Sequence, residues 1–455
     1  MKATRLGLCC VSAVLFANAA WAMTIARDGK AACAVVVAKT ATLAEQRAAE
    51  ELGRFLEAAT GAAFPIVRDT KPGVARILVG PDAARLAAPD FSAERHGAEG
   101  LVIRTTGADL VLAGGRPRGT LYAVYTFLDE QVGCRWWTPA ASTIPKKPTL
   151  DIPALDVRYV PPLEYRVVFW ASSLDEDWAV RNRVHGGIMP MSEQRGGSFT
   201  HSCFCHTYNI LIPPAKYFQP HPEWFSLVNG KRDPNAQLCL TNDAMRQELV
   251  KNLKDVLRRD PKIHYAWVSQ SDCGGACQCA GCAAIDKEEG SPSGATLRLA
   301  NAVAADLEKE FPSVTVATLA YEYTQKPPAK TRPHPNVTVW VCDIPCNFTE
   351  PLDHPSNLHF YQDLEGWAGI SPRLYAWDYT MNFWHPLYPQ PNLRSFGPNI
   401  RLLVKHGVRG VFEQGGGEGR WTEMGELRAW LLAKLLWDPA RDDAGLIREF
   451  LRGYY

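Results

Sequence analysis

The sequence predicts a (β/α)8-type TIM barrel preceded by a small α/β domain. Single apolar runs alternate with helical patterns over roughly 300 residues, which is typical of a parallel barrel sheet whose strands are joined by helices. Prolines at Pro153 and at Pro161-Pro162 mark a boundary, which divides the chain into domains at 24–155 and 160–455. An open doubly wound sheet is the alternative, but no G-x-G-x-x-G follows a strand, so a Rossmann nucleotide site is not supported.

The composition is that of a globular chain without a strongly charged partner. Its 455 residues leave room for two or three domains, and 46% of them are hydrophobic. The 49 Lys and Arg residues balance 48 Asp and Glu residues, and the net charge of +1 argues against nucleic acid and against a polybasic membrane surface. The 14 Trp residues stand out, because each large ring needs a core or a flat partner to pack against.

Residues 1–22 have the form of a signal peptide. Lys2 and Arg5 precede an apolar run that is too short to span a bilayer, and Ala20-Trp21-Ala22 fits an A-x-A cleavage site. A buried N-terminal helix is the alternative. We therefore expect a periplasmic or secreted protein that is not attached to a membrane after cleavage.

The predicted N-terminal domain combines short strands with two helices. Thr42 and Glu45 have capping-box spacing, which predicts a helix that begins there and ends near Thr60. Two strand-like runs on either side of residues 106–109 predict a hairpin.

The predicted barrel has seven identifiable strands, and the eighth is not found. Helices between them are indicated by apolar residues at helical spacing, as in Asn242 to Arg259 and Gly294 to Phe311. The seven predicted strands are Tyr165–Trp170, Ser198–Phe204, His264–Ser269, Val314–Tyr321, Val337–Val341, Arg373–Trp377 and Val408–Phe412.

Carboxylates follow several of these strands at the end where a barrel carries its chemistry. The candidates for catalysis are Asp272, Glu322, Asp378 and Glu413. A structural hydrogen bond to a loop is the alternative for each. Glu413 is the leading candidate for the general acid, because desolvation behind an apolar strand would raise its pKa and keep it protonated. Glu322 is the reserve acid, because its position at a strand end is equally good, but alternation puts it on the opposite face from Tyr321 and Tyr323 and so weakens its claim.

Aromatic residues accompany the carboxylates and suggest a sugar-binding cleft. Flat rings stack on the apolar faces of sugars, and an acid with a second carboxylate performs glycoside hydrolysis. Packing in the core is the alternative for about half of the Trp residues. The candidates for substrate contacts are Tyr321, Tyr323, Trp267, Trp377, Trp384, His201 and His206. The stretch from His201 to His206 also has a metal-binding alternative, but no acidic partner accompanies it.

A cysteine cluster comes directly after Asp272. Cys273, Cys277, Cys279 and Cys282 lie within ten residues and suggest either a structural zinc site or one or two disulfides at the rim of the site. Cys342 and Cys346 are further candidate partners for disulfides. We expect no cofactor to be required for catalysis.

Several motifs resemble known families. The stretch Arg118-Gly119-Thr120-Leu121-Tyr122-Ala123, with Gly133-Cys134-Arg135-Trp136 after it, resembles the small domain before the barrel of α-glucuronidases and β-hexosaminidases. A second set resembles a bacterial family long labelled as a domain of unknown function, some of whose members are endo-β-N-acetylglucosaminidases. Its motifs are His221-Pro222-Glu223-Trp224-Phe225, Gly230-Lys231-Arg232, Gln237-Leu238-Cys239-Leu240-Thr241-Asn242, Ser271-Asp272 with the cysteines, Ala320-Tyr321-Glu322-Tyr323-Thr324 and Gly410-Val411-Phe412-Glu413-Gln414-Gly415.

The resemblance implies a glycoside hydrolase that acts on an oligosaccharide or polysaccharide, with the 2-acetamido group of an N-acetylhexosamine as an internal nucleophile. One carboxylic acid would protonate the leaving sugar, while Asp378 or Asp272 would orient the acetamido group. The chain departs from β-hexosaminidases because Tyr321-Glu322-Tyr323 stands where those enzymes carry an Asp-Glu pair. The alternatives are a glycan-binding protein without catalysis, an α-glucuronidase-like hydrolase and a metal-dependent hydrolase.

Overall fold

The computed structural model describes residues 23–68, 73–417, 419 and 422–455. The predicted signal peptide, residues 1–22, lies outside this part of the chain. The N-terminal strands are β1 (Met23–Arg27), β2 (Lys30–Ala31), β3 (Cys33–Val37), β4 (Ile66–Val67), β5 (Ala75–Val79), β6 (Leu101–Thr106), β7 (Asp109–Gly114), β8 (Arg135–Trp136), β9 (Ser142–Thr143), β10 (Leu150–Ile152) and β11 (Asp156–Tyr159). The helices among them are α1 (Leu43–Thr60), α2 (Pro81–Ala84) and α3 (Gly119–Phe127).

These strands form a mixed six-stranded sheet in the order β11-β6-β7-β5-β3-β4 and a three-stranded sheet in the order β10-β1-β2. The predicted hairpin is β6–β7. The predicted capping box of α1 is also present: Thr42 accepts a hydrogen bond from the backbone of Glu45, and the Glu45 side chain accepts one from Thr42. Since β11 still pairs with β6, the N-terminal sheets extend to Tyr159.

The second half of the chain alternates strands with helices. Its strands are β12 (Tyr165–Phe169), β13 (Leu227–Val228), β14 (Lys231–Arg232), β15 (Tyr265–Trp267), β16 (Thr315–Ala320), β17 (Val337–Cys342), β18 (Leu374–Tyr379) and β19 (Val408–Gln414). Its helices are α4 (Glu176–Arg181), α5 (Tyr208–Leu211), α6 (Pro214–Tyr217), α7 (Asp243–Arg259), α8 (Ala280–Glu289), α9 (Ser293–Leu307), α10 (Leu358–Ile370), α11 (Phe396–Lys405), α12 (Gly425–Trp437) and α13 (Asp443–Tyr454). None of the helices in the described ranges is long and apolar enough to cross a bilayer.

The central sheet is parallel and curled, with the order β12-β19-β18-β17-β16-β15. The strands that come first and last along the chain, β12 and β19, pair as they would in a barrel, but the edge strands β12 and β15 do not pair with each other. The eight-stranded closure that the sequence predicts is therefore not confirmed in the described chain. At the opening, the predicted strand Ser198–Phe204 makes one bridge, between His201 and Tyr265. It is not extended throughout, because residues 202–205 form bends, and positive φ angles at Gly196, Gly197 and His206 turn the chain at its two ends.

The inner face of the curled sheet is a packed aromatic core. The Tyr265 and Tyr375 hydroxyl groups are 2.7 Å apart, and the Trp267 and Trp340 ring centroids are 5.0 Å apart. Trp267 is fully buried there, so the structure does not bring this predicted sugar contact to the surface. The outer face packs on helices, and in the described part of the chain a cavity opens at the strand ends.

Two clusters of buried charges join the N-terminal sheets to the second half of the chain. The Asp129 carboxylate accepts hydrogen bonds from Lys434 Nζ and Arg183 Nη2, each at 2.6 Å. The Glu99 carboxylate accepts one from Arg166 Nη1, also at 2.6 Å, and it contacts His185 and Arg118. These contacts hold the sheet and α12 against the N-terminal sheets.

Candidate active site

Strand alternation divides the predicted site residues into two groups. In β18 the side chains of Trp377 and Tyr379 belong to the inner aromatic core, so Asp378 between them faces the helices. In β19 the same rule turns Phe412 inward and Glu413 outward. Adjacent residues that the sequence places at one strand end therefore lie on opposite sides of the sheet.

The inner side opens into a cleft beside the strand ends, with a cavity of about 680 Å³. This volume is in the range of small-molecule sites. The structure brings five of the predicted residues to it: His206, Asp272, Tyr321, Trp377 and Trp384. The other lining residues are Leu319, Cys342, Ile344, Phe348, Tyr379, Met381, Asn382, Phe383, Gln390 and Gln414.

Asp272 supplies a carboxylate to this cleft. Its Oδ1 accepts a hydrogen bond from the Tyr321 hydroxyl at 3.1 Å and lies 3.9 Å from His206 Nε2. Its side chain is 66% exposed, so a bound molecule can reach the other oxygen. His206 Nδ1 donates to the Gln270 carbonyl at 2.9 Å, which directs Nε2 towards Asp272.

The backbone on both sides of Asp272 is fixed by amide side chains. Gln237 Oε1 accepts from the Ser271 N–H at 2.9 Å, and its Nε2 donates to the Ser271 carbonyl at 2.9 Å. Gln270 Nε2 donates to the Tyr321 carbonyl at 2.9 Å, which ties the end of β15 to the end of β16. Asp272 is therefore an exposed carboxylate on a rigid support.

A second polar group on the cleft floor is Gln414. The Trp377 Nε1–H donates to Gln414 Oε1 at 2.8 Å, which leaves the Gln414 N–H₂ group as a donor towards a bound molecule. Gln414 is absent from the sequence-based prediction. The signal that would have found it is alternation, because it lies two residues after the inward-facing Phe412.

One wall of the cleft is an exposed aromatic loop that follows β18. The Trp384 side chain is 91% exposed, and Phe383 beside it is also exposed. Asn382 Oδ1 accepts hydrogen bonds from the backbone N–H groups of Trp384 and His385, at 3.1 and 3.0 Å. The loop thus presents a flat apolar ring to solvent at the edge of the cavity.

The leading candidate for the general acid does not reach the cleft. Glu413 is 0% exposed and lies behind the sheet with Asp378 and Asp343, which are also buried. No N–H or hydroxyl group in the described chain donates to either Glu413 oxygen, and its carboxyl lies against that of Asp378. Burial and the neighbouring carboxylate raise the pKa of Glu413 well above its ordinary value. Burial likewise raises the pKa of Asp378 and of Asp343.

The remaining predicted residues also lie away from the cavity. Glu322 is exposed in the turn after β16, with a positive φ angle. Tyr323 lines a small cavity beside Cys277 and Cys282. His201 is held inside the sheet: Trp267 Nε1 donates to its Nδ1 at 2.9 Å, and burial lowers its pKa to about 3. A neutral imidazole held this way supports the core and does not face a ligand.

The cysteine cluster differs from the predicted one by a single member. The sulfur atoms of Cys239, Cys277, Cys279 and Cys282 lie within 4.8 Å of one another. Cys273 is outside this group, and its thiol donates to the Asn235 carbonyl at 3.5 Å. The chain turns away after Cys273, because Gly275 has a φ of 86°. Cys239 lies far from the other three in the sequence, and its place in the group becomes visible only in the fold.

The comparisons with known proteins agree with this architecture. Residues 136–455 match a family described as a domain of unknown function, DUF4838. No curated protein matches the chain. Among solved structures, the chain is similar to a family GH115 4-O-methyl-α-glucuronidase, BtGH115A, with specificity for decorated arabinogalactans. The TM-score is 0.59 at 14% identity, and the match covers 94% of this chain and 59% of that chain.

This protein therefore spans less than two thirds of the glucuronidase, and at that identity the similarity describes the fold. The resemblance to a family of unknown function is confirmed, whereas endo-β-N-acetylglucosaminidase activity stays a prediction. Since the matched residues, 136–455, make up most of the sequence, the chain belongs to the DUF4838 family.

Proposed function

We propose that the protein is a glycoside hydrolase that binds its glycan in the cleft at the strand ends and uses Asp272 for proton transfer. The observation that carries the proposal is the exposed Asp272 carboxylate, which the Tyr321 hydroxyl and His206 hold at the edge of a cavity of about 680 Å³. The rings of Trp377 and Trp384 line the same cavity and offer flat surfaces to sugar faces. The similarity in fold to a glycosidase supports the same reaction class.

The lining of the cavity favours a neutral sugar over a uronic acid. None of the described lining residues is Lys or Arg, the side chains that pair with a sugar carboxylate. The α-glucuronidase alternative is therefore less favoured than an N-acetylhexosamine-containing glycan. The Gln414 amide would donate a hydrogen bond to the carbonyl oxygen of an acetamido group, which an N-acetylhexosamine carries on the carbon next to its anomeric carbon.

A substrate-assisted reaction fits a cleft that has one carboxylate among its described lining residues. In this reaction the acetamido oxygen attacks the anomeric carbon, so the substrate supplies the nucleophile. Asp272 would give its proton to the departing glycosidic oxygen and later accept a proton from the attacking water. Tyr321 and His206 would hold Asp272 in position, and a bound sugar would cover it from solvent.

The test compares two carboxyl-to-amide variants on opposite sides of the sheet. Asp272→Asn is expected to lower kcat by about 10²–10⁴-fold on a hydrolysed glycan, which is the range of general acid–base catalysis. Glu413→Gln is the matched control, because its side chain does not line the cleft. Full activity of Asp272→Asn with loss of activity in Glu413→Gln would reverse the assignment.

A glycan-binding protein without catalysis is the second candidate. The observation that favours it is the highly exposed Trp384 beside a cleft with a single described carboxylate. Glycan binding by the wild type without turnover across a broad panel, lost in Trp384→Ala, would favour this candidate.

We also propose that residues 1–22 direct export to the periplasm or the exterior, which N-terminal sequencing of the mature protein tests.

A further inference from the structure

We propose that Cys239, Cys277, Cys279 and Cys282 bind one zinc ion. Their four sulfur atoms lie within 4.8 Å of one another, and those of Cys239 and Cys279 are 3.6 Å apart. A tetrahedral zinc ion with bonds of about 2.3 Å separates its sulfur ligands by about 3.8 Å. The fold therefore brings four thiols from two chain segments to the spacing of a zinc site with four cysteine ligands.

The alternative of two disulfides fits this arrangement less well. A disulfide joins sulfurs at about 2.05 Å, and it would draw the four atoms into two separate pairs. Here all four sulfur atoms lie within 4.8 Å of one another, and all four thiols are free. A fifth cysteine, Cys273, is close in sequence but lies outside the group, which shows that the convergence is selective.

The surroundings of the sulfurs provide donors of the kind that stabilise metal thiolates. The Leu227 N–H donates to Cys277 Sγ at 3.3 Å. The Thr241 hydroxyl oxygen lies 3.4 Å from Cys282 Sγ and 3.7 Å from Cys279 Sγ. Hydrogen bonds to ligand atoms orient them and tune the metal. Cys279 is also the N-cap of α8, where the partial positive charge of the helix favours a thiolate.

The backbone is shaped to close around the four sulfurs. The β13–β14 hairpin covers them, and the Gln278 N–H donates to the Leu227 carbonyl at 2.8 Å. At Gly281, a Cβ would lie 2.9 Å from Thr241 Oγ1, so a glycine is needed for the two segments to approach. Both segments are thus built to meet at the cysteines.

The site also has a consequence for the cleft, and this step alone rests on the proposed function. Gln237, two residues before Cys239, holds the backbone of Ser271 beside Asp272. Cys277 follows five residues after Asp272. A metal that ties Cys239 to Cys277 fixes both flanks of the proposed catalytic carboxylate, so zinc acts here as a structural clamp.

The test is the metal content of the full chain, purified without chelators or metal-affinity resin. We expect one zinc per chain by inductively coupled plasma mass spectrometry. We expect Cys239→Ser to lose at least about 10-fold in zinc affinity. The matched control is Cys273→Ser, which is expected to keep one zinc per chain. Because Cys239→Ser removes a structural ligand, a second readout is cobalt exchange of the wild type, which should give tetrahedral thiolate-to-cobalt absorption bands.

Several results would overturn the proposal. These are a metal-free wild type with two disulfides or four free thiols by mass spectrometry, one iron in place of zinc, or zinc retained fully in Cys239→Ser. Loss of zinc in Cys273→Ser would overturn the ligand set. The measurement does not depend on turnover, so a zinc-bound protein without hydrolase activity would refute the proposed function and leave the zinc site standing.

Discussion

Two sets of buried carboxyl groups in this protein have opposite surroundings. At the junction with the N-terminal sheets, Asp129 contacts the cations Lys434 and Arg183. Behind the strand ends, Glu413 and Asp378 lie against each other, and no cation among the described residues contacts them. Burial is similar in both places, so the comparison isolates what a partner does to a buried acid.

The partner decides the direction of the pKa shift and therefore the pH at which stability is lost. Lys434 and Arg183 hold the pKa of Asp129 below its ordinary value despite burial. The contribution of Asp129 to the free energy of unfolding is therefore fully present above about pH 4, and it is lost as the pH falls towards the lowered pKa. The pKa of Glu413 is raised. The contribution of Glu413 to the free energy of unfolding is therefore fully present below about pH 4, and it is lost as the pH rises towards the raised pKa.

The largest effect is expected from removing the paired acid. Asp129→Ala removes the one acidic partner of the buried Arg183 among the described residues, and a guanidinium cannot lose its proton in response. Burial already lowers the pKa of Lys434 to about 7, so part of the cost falls on that amine. We expect a loss of about 3–5 kcal/mol in the free energy of unfolding, measured by urea denaturation at pH 7. A loss below about 1 kcal/mol, as for an exposed ion pair, would mean that the cations around Asp129 do not make it more costly to remove than Glu413.

An intermediate effect, with the opposite dependence on pH, is expected for the unpaired acid. Glu413→Gln replaces a protonated carboxyl with a neutral amide of the same shape, and the Asp378 carboxyl is placed to accept from it. We expect stability within about 1 kcal/mol of the wild type near pH 5. As the pH rises above 5, the free energy of unfolding of the wild type should fall relative to that of the variant. The reason is that unfolding of the wild type releases the Glu413 proton, whereas the amide has no proton to release. Parallel stability curves from pH 5 to pH 8 would contradict this expectation.

The smallest effect is expected where a pair is exposed. Arg104 Nε lies 2.9 Å from Asp156 Oδ1 in the pairing of β6 with β11, and the Asp156 side chain is 64% exposed. Asp156→Ala should change the free energy of unfolding by less than about 1 kcal/mol, and added salt should reduce the difference. A loss as large as that of Asp129→Ala would mean that pairing, rather than burial of the pair, sets the cost.

Much of the fold could be predicted because the strands are buried on both faces. Runs such as Val337–Val341 are apolar apart from Thr338, and they appear in the structure as fully buried strands of the parallel sheet. The segment Ser198–Phe204 also carries aromatic and small residues, but residues 202–205 form bends and the chain turns at both flanks with positive φ angles. Hydropathy detects burial and does not detect these local bends.

The candidate site was harder to predict for the same reason. A strand that is buried on both sides gives no hydropathy signal for which side is the cleft, so Trp377 and Asp378 look equally well placed. Only the packed structure shows that the first lines the cavity and the second does not. Long-range partners are a second limit, since nothing near Cys239 in the sequence indicates three distant cysteines.

The Asp129–Lys434 contact also constrains the order in which the protein can fold. The two residues are 305 positions apart. During synthesis the N-terminal sheets therefore leave the ribosome long before the amine that neutralises their buried acid has been made. The strand β12 also precedes its neighbour β19 by a long stretch of chain, since Tyr165 pairs with Gly410. We therefore expect docking of α12 and β19 to be a late event in folding, and until then apolar strand surface stays exposed.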